Sequence, residues 1–235
     1  MGMAETLGGL ILGYAVDPNA IMSVDIVPSL ADMRSGLFAY ASFERMPLLA
    51  AAMQMINEYY GCPSGTHGGK TDACYPGVQA GIEKVMSMLF PVLAGAIGIG
   101  TMGHLENAVT FSPQQLVIDN EIAGGIRHIL RGLEVNQETL AVDVIKEIGP
   151  QGTFFEHEHT LRHLREVVLP SAMFDRSNWA AVMSQDVRGI EEKAKRVAAE
   201  LMRQETVPPL SLEQERAIDE VVAEAWAKRR ELGQV

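Results

Sequence analysis

The sequence predicts an α/β fold: parallel strands joined by helices, continued by a helical C-terminal part. Three observations carry this. Between residues 20 and 132, short β-rich runs alternate with helical runs, the pattern of βα units. After Gly132 the strand signal stops and only helical runs follow. Finally, two or three βα units are too few for a closed eight-stranded barrel, which takes about 250 residues. The chain is therefore part of such a barrel with a helical cover, or a small open α/β domain. Residues 1–135 form the βα portion and residues 136–235 the helical portion of the same domain.

Each element has its own signal. Residues 4–16 form an apolar helix ended by Asp17-Pro18. "AIMSVDIV" (20–27) is a strand, and "SLADMRSG" a loop at its C-terminal end. Residues 44–61 form a helix with Gly61 just past its end. A Gly-rich loop, 64–77, comes next. Residues 77–93 place apolar side chains at 78, 82, 85, 86 and 89, a helical period. "AGAIGIGT" (94–101) is a buried strand and "MGHLENAVTF" its exit loop. Ser112-Pro113 opens a helix over 113–132, with Pro at the first position. Residues 136–149, capped by Asn136, then 157–168, 188–203 and 211–232 are further helices. "VPPL" (207–210) separates the last two.

Composition excludes several functions. A net charge of −11 opposes binding to nucleic acid, whose phosphates need clustered Lys and Arg. It equally opposes an anionic membrane surface. The longest apolar stretch, 85–100, is broken by Pro91 and glycines and is too short to span a bilayer. Cys62 and Cys74 make no disulfide framework, so a reduced, cytoplasmic protein is expected.

"SGTHGGKTDA" (64–73) ends like a phosphate-binding P-loop. The register fails: the first glycine of that motif falls on Ser64, and no helix starts until about Gly77. What remains is a loop crowded with His67, Lys70, Asp72, Cys74 and Tyr75 at a βα connection, where parallel α/β proteins carry catalytic groups. Asp32, Arg34 and Glu44 follow another strand end. A second constellation is "FEHEHTLRHLRE" (155–166). His159 and His163 are four apart on one helix face, a spacing that suits zinc, but HExxH is absent. Two hydrogen-bonded histidines at a helix start are the simpler expectation, and no bound metal is expected.

Several blocks resemble one family. "DMRSG" (32–36), "YGCPSG" (60–65), "GGKTDACYPGVQAGIEKVMSMLFPVLAGA", "SPQQLVIDNEIAGGIRHILRGLEV", "DVIKEIGPQGTFFEHEHTLRHLR" and "FDRSNW" look like successive blocks of the trimethylamine methyltransferase family. The resemblance implies the C-terminal part of a TIM (β/α)8 barrel with extra C-terminal helices. It implies an enzyme that moves a methyl group from a methylated amine, trimethylamine or a quaternary amine such as glycine betaine, to the cobalt of a corrinoid on a partner protein. The chain has no pyrrolysine, and the position that carries it in some members falls at or beside Cys74. Asp72, Cys74 and His159 are then the candidate catalytic residues. Lys70 and Arg34 are candidates for a betaine carboxylate, and Tyr75 and Phe38, with Asp72, for the cation. The alternative is a non-catalytic remnant, or one half of a split enzyme that pairs with an N-terminal half or a second copy.

Overall fold

Parallel strands and intervening helices alternate as the hydrophobic pattern dictates. The computed structural model describes residues 2–204 and 210–233. Helix α1 (Gly2–Val16) leads to β1 (Val24–Asp25). After a hairpin of β2 (Leu30–Ala31) and β3 (Phe38–Ala39), α2 (Arg45–Gln54) runs into a π-helical turn, Met55–Tyr59. Next come β4 (Ser64–Thr66), α3 (Val78–Leu93) and β5 (Gly98–Ile99). A second hairpin, β6 (His104–Leu105) with β7 (Thr110–Phe111), precedes α4 (Pro113–Leu130). Helices α5 (Gln137–Leu140), α6 (Val142–Ile148), α7 (Glu158–Val167), α8 (Trp179–Met183), α9 (Gly189–Leu201) and α10 (Leu212–Glu231) complete the chain.

The sheet order is β1-β4-β5, both pairings parallel, with Val24 beside Ser64 and Gly65 beside Gly98. Sequential parallel strands separated by helices are βα units, as expected. No closed barrel forms among the described residues. The core divides where the helices meet the sheet. Val24, Met53, Ile56 and Ala96 pack between α2 and the strands. Met88, Ile118, Ile122, Ile126, Met173 and Ala194 pack α3 against α4 and the start of α9.

Local differences from the sequence expectation have physical causes. β4 lies inside what reads as a plain loop, because "SGT" has no apolar alternation; backbone pairing on both sides makes it a strand. Both exit loops contain two-residue antiparallel ladders. The run 136–149 breaks at Ala141, whose φ of +49° interrupts the helix. Asn136 caps α5 in a reciprocal capping box with Thr139. Ser112 and Ser211 cap α4 and α10 as expected. Gly61 follows the π turn with φ +63°, which suits glycine.

The chain divides into two compact units, Met1–Ala198 and Ala199–Val235. The expected separator at 207–210 falls outside the described residues except for Leu210. No described helix is long and apolar enough to cross a membrane.

Candidate active site

All three sheet strands run the same way, so the loops leaving their C-terminal ends gather on one side. The Gly-rich loop is the centre of this group. Glycine is required there by close approach: a Cβ on Gly69 would lie 2.8 Å from the Gly100 carbonyl, and one on Gly68 2.6 Å from that of Ser87. Gly69 N–H in turn donates to the Gly100 carbonyl, tying the loop after β4 to the end of β5.

Asp72 links this loop to the hairpin after β1. Its Oδ1 accepts from the Tyr40 amide at 2.9 Å and Oδ2 from the Ala41 amide at 3.4 Å. Burial outweighs these bonds and raises the Asp72 pKa. Glu83 on α3 holds the loop from beneath, accepting from Thr71 Oγ1 and from the Asp72 amide at 2.8 Å. Arg45, fully buried at the start of α2, donates to the Pro28 carbonyl at 2.6 Å and to the Tyr40 carbonyl. Its Nη2 is buried and has no partner among the described residues. Burial pushes the Arg45 pKa down to about 10.

Lys70 lies against Tyr40, with Nζ 3.8 Å from the ring centroid, and is only 8% exposed. Burial, aided by the nearby Arg45 charge, lowers its pKa. Among the described residues Lys70 has no carboxylate within ion-pair distance. The adjoining Phe38 ring is 5.8 Å from that of Tyr40, and the Phe38 carbonyl accepts from Asn107 of the loop after β5. Beneath the loops after β4 and β5 sits a buried ion pair: Lys84 Nζ donates to Asp119 Oδ2 at 2.6 Å, and both side chains are fully buried. Lys84 also donates to the Gly69 carbonyl, and Asp119 accepts from the Gly103 amide and Gln115 Nε2.

The structure thus brings together Lys70, Asp72 and Phe38 of the expected site. Cys74 is an exposed free thiol and Tyr75 an exposed ring on the same loop. Arg34 is exposed and paired with Asp32 at 3.5 Å on the β2–β3 turn. His159 stands elsewhere in the contact pattern: it and His163 on α7 face Glu138 of α5. His67 is exposed and Glu44 is exposed at the start of α2. Sequence reasoning missed Tyr40, Arg45, Glu83, Lys84 and Asp119. The last two read as ordinary helical charges; only their positions on apolar faces of α3 and α4 hint at burial. The P-loop exclusion holds, since residues 67–77 stay non-helical and Lys70 lies on an aromatic ring.

A family model for trimethylamine methyltransferase matches residues 1–232. The chain belongs to the trimethylamine methyltransferase family. Trimethylamine methyltransferase MttB2 of Methanosarcina mazei is 34% identical over 210 residues, 88% of this chain and 41% of that protein. Trimethylamine methyltransferase MttB of Desulfitobacterium hafniense is 32% identical over 209 residues, 88% of this chain and 41% of its own length. Glycine betaine methyltransferase, also of Desulfitobacterium hafniense, is 33% identical over 182 residues, 75% of this chain and 38% of that protein. The chain therefore spans about two fifths of the length of these family members.

Proposed function

We propose that this chain is the C-terminal part of a TIM-barrel methyltransferase that takes a methyl group from a methylated amine. The family membership carries the proposal, and the loop cluster at the strand ends is consistent with it. A corrinoid held on a partner protein supplies the cobalt that receives the methyl group. Its ligands belong to that partner, so this chain needs only an open face at the strand ends. The exposed Cys74, Tyr75 and Phe38 fit that requirement.

A quaternary ammonium leaves as a neutral amine and needs no proton from the protein. The residues' work is then recognition and orientation. Phe38 and Tyr75 offer aromatic faces to the methylated cation. Among the described residues Lys70 has no carboxylate partner, and Arg45 retains an unpartnered buried Nη2. These cations suit the carboxylate of a betaine, which favours glycine betaine over trimethylamine. Asp72, with its oxygens on the backbone of 40 and 41, positions the aromatic hairpin. Cys74, at or beside the position where some family members carry pyrrolysine, is an exposed thiol on this loop.

The rival reading is a non-catalytic remnant or one half of a split enzyme. The deciding experiment is methyl transfer from glycine betaine and from trimethylamine to cob(I)alamin. It is run with this chain alone and with the N-terminal part of a family member supplied separately. Turnover by this chain alone supports the enzyme; turnover only with the N-terminal part supports the split enzyme; none in both favours the remnant.

A further inference from the structure

The paired histidines of α7 meet a carboxylate that sequence spacing does not reveal. Glu138, on the one-turn α5, lies twenty-one residues before His159, yet its Oε1 is 3.1 Å from His163 Nε2 and 3.8 Å from His159 Nε2. The ligand atoms of the three residues all lie within 4.8 Å of one another. Two imidazoles four apart on a helix, plus a carboxylate from a second element, form the His2Glu set used by zinc. Bonds of about 2.0–2.1 Å in a tetrahedron put ligand atoms about 3.3 Å apart, close to the 3.1 and 3.8 Å from Glu138 to the two imidazoles. The rings are already gathered, with centroids 4.5 Å apart. Behind His163, Glu166 Oε2 is 3.6 Å from Nδ1, the carboxylate–imidazole arrangement that orients a metal-binding histidine.

We propose that Glu138, His159 and His163 bind one divalent transition-metal ion of the zinc type, clasping α5 to α7. This differs from the sequence expectation of no metal, because the third ligand comes from a distant segment. Two features set its strength. His159 Nε2 is 2.8 Å from the Glu138 carbonyl, so metal binding requires the Nδ1–H tautomer, which frees the Nε2 lone pair and gives up any hydrogen bond from Nε2 to that carbonyl. Arg162 Nη1 sits 3.0 Å from Glu138 Oε1 and competes with the ion for that oxygen. Glu158 holds the other end of Arg162 at 3.3 Å and gives the guanidinium somewhere to go.

The test uses the untagged full chain, stripped with a chelator and titrated with Co2+ alone. Visible d–d absorption reports the geometry, and Zn2+ displacement and equilibrium dialysis give the stoichiometry. One ion per chain with a tetrahedral-type spectrum, quenched by Zn2+, is expected. Glu138→Gln, His159→Ala and His163→Ala should each weaken binding by at least about tenfold. Arg162→Gln, which keeps every ligand, should tighten it several-fold; this variant serves if the ligand variants do not fold. Absence of the spectrum, affinity unchanged in the ligand variants, or affinity unchanged or weakened in Arg162→Gln overturns the site. No methyl transfer enters the measurement, so its outcome is independent of the proposed activity.

Discussion

Lys70 and Asp72 stand two residues apart in the same loop and have opposite consequences. Asp72 is satisfied by backbone amides across a sequence gap of over thirty residues. Removing it orphans the Tyr40 and Ala41 donors, at about 1–3 kcal/mol for each buried group left unpaired. Asp72→Ala should lower the urea midpoint accordingly, and an unchanged midpoint would show that the hairpin stands without it. Lys70 has only an aromatic face beneath it and is held below its usual pKa by burial. Its charge is a cost to the fold, so Lys70→Met should leave the urea midpoint unchanged or raise it. In an active full-length family member the same change should raise KM for glycine betaine while sparing trimethylamine. Equal loss on both substrates would remove the carboxylate-binding role. The chemical types at 70, 72, 74 and 75 were legible in the sequence. Their division between scaffold and open surface was not, because it depends on which backbone amides another loop presents.

At the scale of elements, the Lys84–Asp119 pair joins α3 to α4 under the loops after β4 and β5. A fully buried charge left alone is costly, about 3–5 kcal/mol, whereas an apolar pair of similar volume is often tolerated. Lys84→Met should therefore destabilise strongly, and Lys84→Met with Asp119→Leu should recover much of the loss in denaturant melts. Failure of the double variant to recover would mean that the Gly69 and Gly103 backbone contacts matter more than the charges. The connection from α7 to α8, tied by Asp175 to Gln185 and to Lys193 of α9, gives a pH-dependent counterpart. Asp175 accepts from the Ser177 amide at 2.8 Å, from Gln185 and from Lys193, and these bonds hold its pKa well below the ordinary 3.8. A depressed carboxylate pKa stabilises above the unfolded value and is lost as pH falls through the folded one. The stability gap between wild type and Asp175→Asn should thus be constant near neutrality and close as pH drops below about 3.8. A gap that persists in strong acid would place the effect elsewhere. The long helices were legible because their apolar spacing and caps are local. The two-residue ladders and β4 were not, since their stability resides in partners far along the chain.

At the scale of the molecule, β1 and β5 are the sheet's two edges among the described residues. Apolar side chains line the pocket next to β5, including Ile97, Ile99, Met102 and Leu130. Unpaired edges with apolar flanks invite further pairing. Sedimentation should show self-association that falls when Ile97 and Leu130 are changed to Lys; a concentration-independent monomer would argue for an edge that is self-sufficient. The same edges suit a barrel continued by further βα units, as proposed.

By itself the sequence determined the α/β class, the long helices with the Ser112, Asn136 and Ser211 caps, and the crowding of polar and titratable side chains after one βα connection. It also determined family membership, through ordered blocks that run most of the chain. Only the tertiary structure decided that Asp72 braces a hairpin, that Lys84 and Asp119 are buried together, and that Glu138 joins His159 and His163. Periodicity and capping act over a few residues and are written locally. Burial, charge pairing and metal-type clustering depend on which segments the parallel sheet and its helices bring side by side, and that is fixed only when the chain folds.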